Sequence, residues 1–330
     1  MPNLEIAGAL SVSPVTEPIL SGRVGPQGLS VAWTGLHPSE MFWRQLRFAE
    51  FEVSELSLSS LLIAVDRGDT RWLALPVFTT REFFHTRILV RADAGIDRPE
   101  DLAGKRVGVP EYQQTAALWS RGVLQHEFGV SPSDIKWFME RPPERSHGGA
   151  TGFRPPAGVE LSYIPSDTDI GRMLVEGELD ATLLYLSDRN LVDRSRLDLD
   201  SDPRVRPLFR DRLAEGVRYY EKTGVLPVNH CVAIRRDVAE AHPWAALNLF
   251  DMFVAAKEEF YGRLRRGLKP FETLGWLPGD GSLTARDPLP YGISGQRGVL
   301  ETLAAYSYEQ GLTSKPVPLE EVFAPSALDL

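Results

Sequence analysis

The run WLALPVF, residues 72–78, is apolar at every position and has the length of one β-strand. A strand with one solvent-exposed face alternates apolar and polar residues. This uninterrupted run therefore predicts a strand buried on both faces, as in parallel sheets. Two neighbouring segments extend the pattern. FEVSELS at 51–57 predicts a strand, and SLSSLLIAVDRG at 57–68 has the serine start and glycine end of a helix. Strand, helix and strand in this order predict an α/β fold.

The same alternation continues toward the carboxyl end. Further strands are predicted at 85–92, 105–111 and 226–236, and helices at 112–129 and 242–266. Residues 141–159 (RPPERSHGGATGFRPPAGV) are rich in proline, glycine and arginine, which predicts an exposed loop. With 330 residues, the chain is long enough for about two domains.

Charge and cysteine content narrow the functional classes. The chain has 36 Lys and Arg residues against 45 Asp and Glu residues, a net charge of −9. Nucleic-acid affinity depends on clustered cations that neutralise phosphates, so no nucleic-acid partner is expected. Cys231 is the one cysteine of the sequence, which excludes an intrachain disulfide and a zinc site built on a cysteine pair.

The amino-terminal segment and the hydropathy of the chain predict a cytoplasmic protein. Residues 1–22 contain two acidic residues and no Lys or Arg, whereas a secretory signal places basic residues before a long apolar stretch. No run approaches the roughly 18 apolar residues of a membrane span, so no membrane partner is expected. The sequence leaves the oligomeric state open, a homo-oligomer included.

The segment IDRPEDLAGKRVGVPEYQQT, residues 96–115, resembles the place where type 2 periplasmic-binding-protein folds cross from one lobe to the other. The matching return strand is LPVNHCVAIRR at 226–236. The resemblance implies an α/β fold of two lobes with an interdomain cleft, lobe I comprising 1–95 plus 232–330 and lobe II comprising 96–231. The helix after the first crossing would point its amino terminus into the cleft, where free N–H groups and the helix dipole favour an anion.

Further segments make the resemblance more specific. They are similar to the 4,5-dihydroxyphthalate decarboxylase branch of that superfamily, which consists of cytoplasmic enzymes on a solute-receptor fold: FEVSELSLSS (51–60), REFFH (81–85), GVPEYQQTAALWSRG (108–122), GVLPVNHCVAIRR (224–236) and EEVFAP (320–325). The resemblance implies non-oxidative decarboxylation of a hydroxylated aromatic dicarboxylate, with 4,5-dihydroxyphthalate to protocatechuate as the favoured reaction. Two alternatives stay open: a small-molecule binding protein that performs no chemistry, and another lyase acting on a cyclic carboxylic acid.

Such a decarboxylation needs an acid near the carbon that loses carbon dioxide, and donors that hold the substrate carboxylates. A ring hydroxyl para to the leaving carboxylate supplies electron density, so no metal or organic cofactor is expected. The sequence also has no HExxH motif and no Cys/His cluster that would predict a metal site. Histidine suits the proton transfer because its unperturbed pKa is about 6.5.

His85 and His230 are the candidate catalytic residues. Each lies on a strand predicted to flank the cleft, and each resembles a position that holds a histidine in the decarboxylase branch. One would protonate the ring carbon, and the other would accept a proton from a ring hydroxyl or orient it. Two alternatives remain: both bind substrate carboxylates as cations, or both are hydrogen-bonded residues of the core. His147, in the predicted loop, is expected to take no part.

The carboxylate-binding groups are expected at Arg81 and at the start of the 112–129 helix. Arginine binds carboxylates through a planar fork, and the helix start offers side-chain donors beside its free N–H groups. Simple capping of the helix is the competing interpretation. The complete set of candidate substrate-binding residues is Arg81, Ser57, Ser59, Tyr112, Gln113, Thr115, His37 and Asn229.

Overall fold

Two mixed β-sheets organise residues 3–279 and 287–330, the part of the chain that the computed structural model describes. The strands, in chain order, are β1 (Leu4–Leu10), β2 (Leu29–Gly35), β3 (Val53–Ser57), β4 (Trp72–Arg81), β5 (Leu89–Arg91), β6 (Arg106–Val109), β7 (Lys136–Met139), β8 (Glu160–Tyr163), β9 (Ala181–Thr182), β10 (Val205–Pro207) and β11 (Val228–Arg235). The first sheet has the order β2-β1-β3-β11-β4, and the second has the order β10-β5-β9-β6-β7-β8. The first sheet is discontinuous in sequence because β11 joins it after the strands of the second. The predicted α/β class is confirmed.

Helices connect these strands. In chain order they are α1 (Glu17–Leu20), α2 (Pro38–Phe48), α3 (Leu58–Asp66), α4 (Thr115–Phe128), α5 (His147–Thr151), α6 (Ile170–Glu176), α7 (Arg212–Thr223), α8 (Arg236–Ala241), α9 (Pro243–Thr273), α10 (Arg297–Glu309) and α11 (Leu319–Val322). The first turns of α2 and α4 meet between the two sheets, and both line the cavity described below.

The apolar run at 72–78 is buried throughout, as its pattern predicts. Trp72, Ala74 and Phe78 belong to one hydrophobic cluster, and the intervening Leu73, Leu75 and Val77 belong to another, so the strand has a core on each face. The expected parallel pairing is wrong, however, because β4 is the edge strand and pairs antiparallel with β11. Its outer edge is covered by the carboxyl-terminal segment, where the Ala324 N–H donates to the Ala74 carbonyl at 2.9 Å.

The chain passes between the two sheets at 82–88 and again at 208–227. The predicted strand at 85–92 is instead a 3-10 turn over Phe84–Arg87 followed by β5. The turn forms because the Thr86 N–H and hydroxyl both donate to the Phe83 carbonyl, at 2.9 and 2.8 Å, which replaces ladder bonds with local ones.

The placement of two strands differs from the predicted lobe boundaries. β5 pairs with β9 and β10 of the second sheet, although it lies before position 95. β11 starts at Val228 and pairs throughout with the first sheet, so the boundary between 231 and 232 falls inside a strand. Both β5 and β11 are placed by pairing with strands that lie far away in the sequence, and the sequence pattern does not specify such pairing.

The predicted exposed loop at 141–159 is a partly buried segment that carries α5. Arg141, Ser146 and His147 are each buried. A Cβ at Gly149 would lie 1.7 Å from the Pro143 carbonyl oxygen, so only glycine lets α5 fold back this closely. The segment also contacts the first lobe, because the Trp43 indole N–H donates to the Glu144 carbonyl at 2.9 Å.

Among the described residues, no helix combines the length and apolar character required to cross a bilayer.

Candidate functional site

A cavity of about 130 Å³ lies between the two lobes at the start of α4. An engineered protein cavity of about 150 Å³ binds benzene, so this space suits one aromatic ring. The first lobe contributes residues of α2, β3 and β11, and the second contributes the start of α4 and three loops or short helices. The lining residues are His37, Pro38, Ser39, Phe42, Ser57, Gln114, Thr115, Ala116, Arg141, His147, Leu184, Leu186, Asn229 and His230.

The wall formed by β3 and β11 follows directly from their register. His230 pairs with Ser57 across the antiparallel ladder, so their side chains share one face of the sheet. Glu55, two residues before Ser57, lies on the same face because side chains in a strand alternate with a period of two. The sequence S-E-L-S therefore brings a carboxylate and a hydroxyl to the same histidine.

Glu55 is fully buried and contacts His230 beneath the cavity. The His230 Nδ1 lies 3.3 Å from Glu55 Oε2, and the His230 Nε2 lies 2.9 Å from the Asn229 side-chain amide. Burial raises the pKa of Glu55, but hydrogen bonds from His230, Ser11 and Thr79 outweigh it, and the net pKa lies below the ordinary value. An ionised carboxylate therefore faces the imidazole ring.

The first turn of α4 closes another side of the cavity. Thr115 and Ala116 line it, and the side chain of the N-cap residue makes no capping hydrogen bond to this turn. Gln114, at the N-cap position, is buried, and its Nε2 has no hydrogen-bond partner in the described part of the chain. Free N–H groups at a helix start bind anions, so this turn can hold a carboxylate.

Arg141 brings a buried positive charge to the cavity. Its Nε donates to Asp193 Oδ1 at 2.7 Å, and its Nη2 donates to the Ser39 hydroxyl at 2.6 Å. Burial lowers the pKa of Arg141, but the nearby Asp193 and Glu111 carboxylates outweigh it and raise the pKa overall. The Nη1 group lies 3.4 Å from His147 Nε2 and retains donor capacity toward the cavity.

His147 and His37 line the cavity as neutral rings. Burial, followed by the charge of Arg141, lowers the pKa of His147 well below its ordinary value. Burial also lowers the pKa of His37, whose Nδ1 accepts the Ser39 N–H at 3.3 Å at the start of α2. His37 therefore both begins α2 and lines the cavity.

Five of the residues predicted from the sequence meet in this cavity: His230, His37, Ser57, Thr115 and Asn229. Three more lie behind its wall. Ser59 donates its hydroxyl to the Gln113 carbonyl at 2.5 Å, and the Gln113 side chain contacts Ser60 and Thr151. Tyr112 is buried in the second lobe, where the Arg121 guanidinium lies 3.8 Å from its ring centroid.

His85 and Arg81 do not line the cavity. His85 lies on the 3-10 turn between the sheets, and its Nε2 is 3.1 Å from Glu215 Oε1. Arg81 donates to the Leu226 and Pro290 carbonyls at 3.3 and 2.8 Å, so part of its fork is already occupied by backbone. Burial lowers the pKa of Arg81 to about 10. The predicted strand at 85–92 would have aimed His85 at the cleft, and the 3-10 turn redirects it. Arg81 is the last residue of β4, but its guanidinium is held by the two carbonyls instead of facing the cavity.

The residue pattern did not predict a role for Arg141 or His147, nor the contact of Glu55 with His230. Arg141 and His147 lie in a segment whose proline and glycine content suggested exposure. The usable signal was the length of that segment, because long loops in compact domains often carry functional residues. Across residues 3–279 and 287–330, no group of three or more His, Cys, Asp and Glu side chains could hold a metal ion.

Comparison with known proteins assigns the chain to a family. A 4,5-dihydroxyphthalate decarboxylase of Comamonas testosteroni is 31% identical over 333 residues, covering 100% of this chain and 99% of that protein. The chain belongs to the 4,5-dihydroxyphthalate decarboxylase family. Another protein of that name, from Pseudomonas putida, is 37% identical over 166 residues, covering 50% of this chain and 64% of that protein. The predicted resemblance to this decarboxylase branch is confirmed.

Solved structures confirm the predicted periplasmic-binding-protein fold. The alkanesulfonate-binding protein SsuA from Xanthomonas axonopodis pv. citri, bound to MOPS, has a TM-score of 0.57 at 17% identity, covering 99% of this chain and 98% of that one. The desulfurization enzyme DSZB has a TM-score of 0.51 at 16% identity, covering 98% of this chain and 97% of that one. A family model described as a phosphonate ABC transporter periplasmic substrate-binding protein matches residues 40–150.

Proposed function

We propose that this member of the decarboxylase family removes one carboxylate, without oxidation, from a hydroxylated aromatic dicarboxylate, and that 4,5-dihydroxyphthalate is its substrate and protocatechuate its product. The observation that carries the proposal is the contact of the buried Glu55 carboxylate with His230, which lines a ring-sized cavity beside the start of α4. Full-length similarity to a decarboxylase of that name supports the choice of substrate.

Substrate binding is assigned to the donors on the second-lobe side of the cavity. A carboxylate at the first turn of α4 would accept from its free N–H groups. The Arg141 Nη1 group would contribute a charge-assisted hydrogen bond, which is shorter and stronger than a neutral one. Phe42, Leu184 and Leu186 would form the apolar contacts with the ring.

His230 is assigned the proton transfer. Its Nε2 would donate a proton to the ring carbon that bears the leaving carboxylate, forming the new C–H bond with ring π electrons. The hydroxyl para to that carbon stabilises the positive charge on the ring. The bond to the carboxylate then breaks, its electron pair restores aromaticity, and carbon dioxide leaves. The cycle consumes one proton, which His230 recovers from solvent.

A binding protein without turnover is the second candidate. The specific observation in its favour is the fold shared with an alkanesulfonate-binding protein, together with donors that would hold an anion in either case. A binding protein would return the aromatic acid unchanged. The two candidates therefore differ in chemistry rather than in affinity.

The experiment is a turnover assay with a matched panel of acids. We expect carbon dioxide and protocatechuate from 4,5-dihydroxyphthalate, and no carbon dioxide from phthalate, which lacks the hydroxyls. The control variant is His126→Gln, which alters an exposed histidine outside the cavity and should leave turnover unchanged. Binding of 4,5-dihydroxyphthalate with no release of carbon dioxide would favour the binding protein.

A further inference from the structure

The Glu55 carboxylate is held by donors from three strands or their ends. Its Oε1 accepts the Ser11 N–H at 2.9 Å and the Ser11 hydroxyl at 2.6 Å. Its Oε2 accepts the Thr79 hydroxyl at 2.7 Å and faces His230 Nδ1 at 3.3 Å. Each oxygen therefore has a distinct set of partners, and the side chain cannot rotate without losing several hydrogen bonds.

We infer that Glu55 is a positioning residue, which keeps the proton on His230 Nδ1 and thereby leaves Nε2 as the ring nitrogen that serves the substrate. A carboxylate only accepts hydrogen bonds, so the nitrogen facing it must carry a hydrogen. Nε2 lies at the cavity side, beside Asn229. The inference rests on the proposed function in one respect: it takes His230 as the group that transfers the proton.

Because the two carboxylate oxygens have different partners, replacing one of them by an NH₂ group tests the inference. In a Glu55→Gln variant, one oxygen becomes an NH₂ group. The Ser11 backbone N–H can only donate, so the amide oxygen must occupy the Oε1 position beside it. The NH₂ group must then occupy the Oε2 position, where Thr79 can accept through its hydroxyl. His230 Nδ1 now faces a donor, which favours the ring with its proton on Nε2 and an unprotonated Nδ1.

This reversal has a kinetic consequence. A ring with an unprotonated Nδ1 facing a donor cannot become an imidazolium without placing two hydrogens against each other. The hydrogen on Nε2 then belongs to a neutral ring, and donating it would leave an imidazolate, so the ring is a far weaker acid than an imidazolium. We expect kcat of Glu55→Gln to fall by about 10²-fold or more while KM stays within about threefold, because the residue acts on the transition state through His230.

The spectroscopic test measures ¹⁵N chemical shifts of the histidine rings, which distinguish a protonated from an unprotonated ring nitrogen. The His230 signal is assigned by its disappearance in His230→Gln. We expect a protonated Nδ1 in the original protein and an unprotonated Nδ1 in Glu55→Gln. The matched control is Glu52→Gln, because Glu52 Oε2 also accepts a β1 backbone N–H, from Ala7 at 2.8 Å, but does not contact His230. It should leave the His230 signals and kcat unchanged.

Each outcome decides the inference. A His230 ring with an unprotonated Nδ1 in the original protein would overturn it, even if Glu55→Gln fails to fold. An unchanged tautomer in a folded Glu55→Gln would also overturn it. If the tautomer reverses but the original protein releases no carbon dioxide, the positioning by Glu55 stands and the proposed function fails.

Discussion

Two histidine–carboxylate pairs in this protein have similar nitrogen–oxygen distances and different surroundings. The His230–Glu55 and His85–Glu215 pairs have nitrogen–oxygen distances of 3.3 and 3.1 Å. His230 has its second ring nitrogen beside a cavity, whereas the second nitrogen of His85 is buried with no hydrogen-bond partner among the described residues. A histidine–carboxylate pair alone therefore does not mark a catalytic site. The two pairs differ because the second ring nitrogen of His230 lies beside a ring-sized space and that of His85 does not.

The position of the second pair explains its different role. His85 lies on the first passage between the sheets, and Glu215 lies on α7 in the second passage. Aromatic rings of Phe83, Phe209 and Tyr219 surround the imidazole. The pair therefore ties together the two connections on which the relative placement of the lobes depends.

Replacement of His230 should have the largest effect. His230→Gln keeps a hydrogen-bonding side chain but removes the acid, so kcat should fall by about 10²-fold or more with little change in KM. Steady-state kinetics with 4,5-dihydroxyphthalate measure both constants. A near-normal kcat would remove the distinction between the two histidine pairs.

Replacement of Arg141 should have the next largest effect. Its comparison with Arg81 tests which arginine binds the substrate carboxylate. Arg141→Lys keeps the charge but loses the bonds to Asp193 and Ser39, so KM should rise about tenfold. The matched control is Arg81→Lys, which alters an arginine outside the cavity and should change KM by no more than about twofold. A larger rise of KM in Arg81→Lys would move the carboxylate site back to the position expected from the sequence.

Replacement of His85 should affect stability rather than turnover. His85→Gln removes a partly buried hydrogen bond to a carboxylate, which should lower the free energy of unfolding by about 1–3 kcal/mol. We expect kcat to stay within about threefold, since the ring does not reach the cavity. Denaturant unfolding and kinetics on the same preparation separate the two effects. A fall of kcat by two orders of magnitude in a fully folded variant would contradict the structural role.

The smallest expected effect is a pH dependence of stability at Glu215. Burial raises the pKa of Glu215, but hydrogen bonds from Arg218 and His85 outweigh it and lower the pKa from 4.5 to about 2. Because the pKa of Glu215 is lower in the folded state than in the unfolded state, its ionised form stabilises the fold at pH values above its ordinary pKa. This stabilisation is lost as the pH falls toward the pKa of the folded state. The Tm advantage of the original protein over Glu215→Gln should therefore shrink as the pH falls from 4.5 toward about 2. A constant difference in Tm over this range would contradict the pairing.

The sequence predicted the parts of the site that depend on short-range pattern. The β3 strand and the return strand with His230 were predicted, and the family resemblance placed them at one cleft. The helix predicted to start at 112 begins at Thr115. The same pattern could not reveal the 3-10 turn at Phe84–Arg87, because local hydrogen bonds of Thr86 decide it. Arg141 and His147 were missed because their burial depends on distant partners, Asp193 and Ser60.

The most direct test of the account is turnover of 4,5-dihydroxyphthalate in deuterated water, with the product analysed by proton NMR and mass spectrometry. If a solvent-derived proton on His230 replaces the carboxylate, each protocatechuate should carry one deuterium on the ring carbon that lost carbon dioxide, and His230→Gln should form this product at least about 10²-fold more slowly. Recovery of unchanged 4,5-dihydroxyphthalate from a protein that binds it would contradict the account.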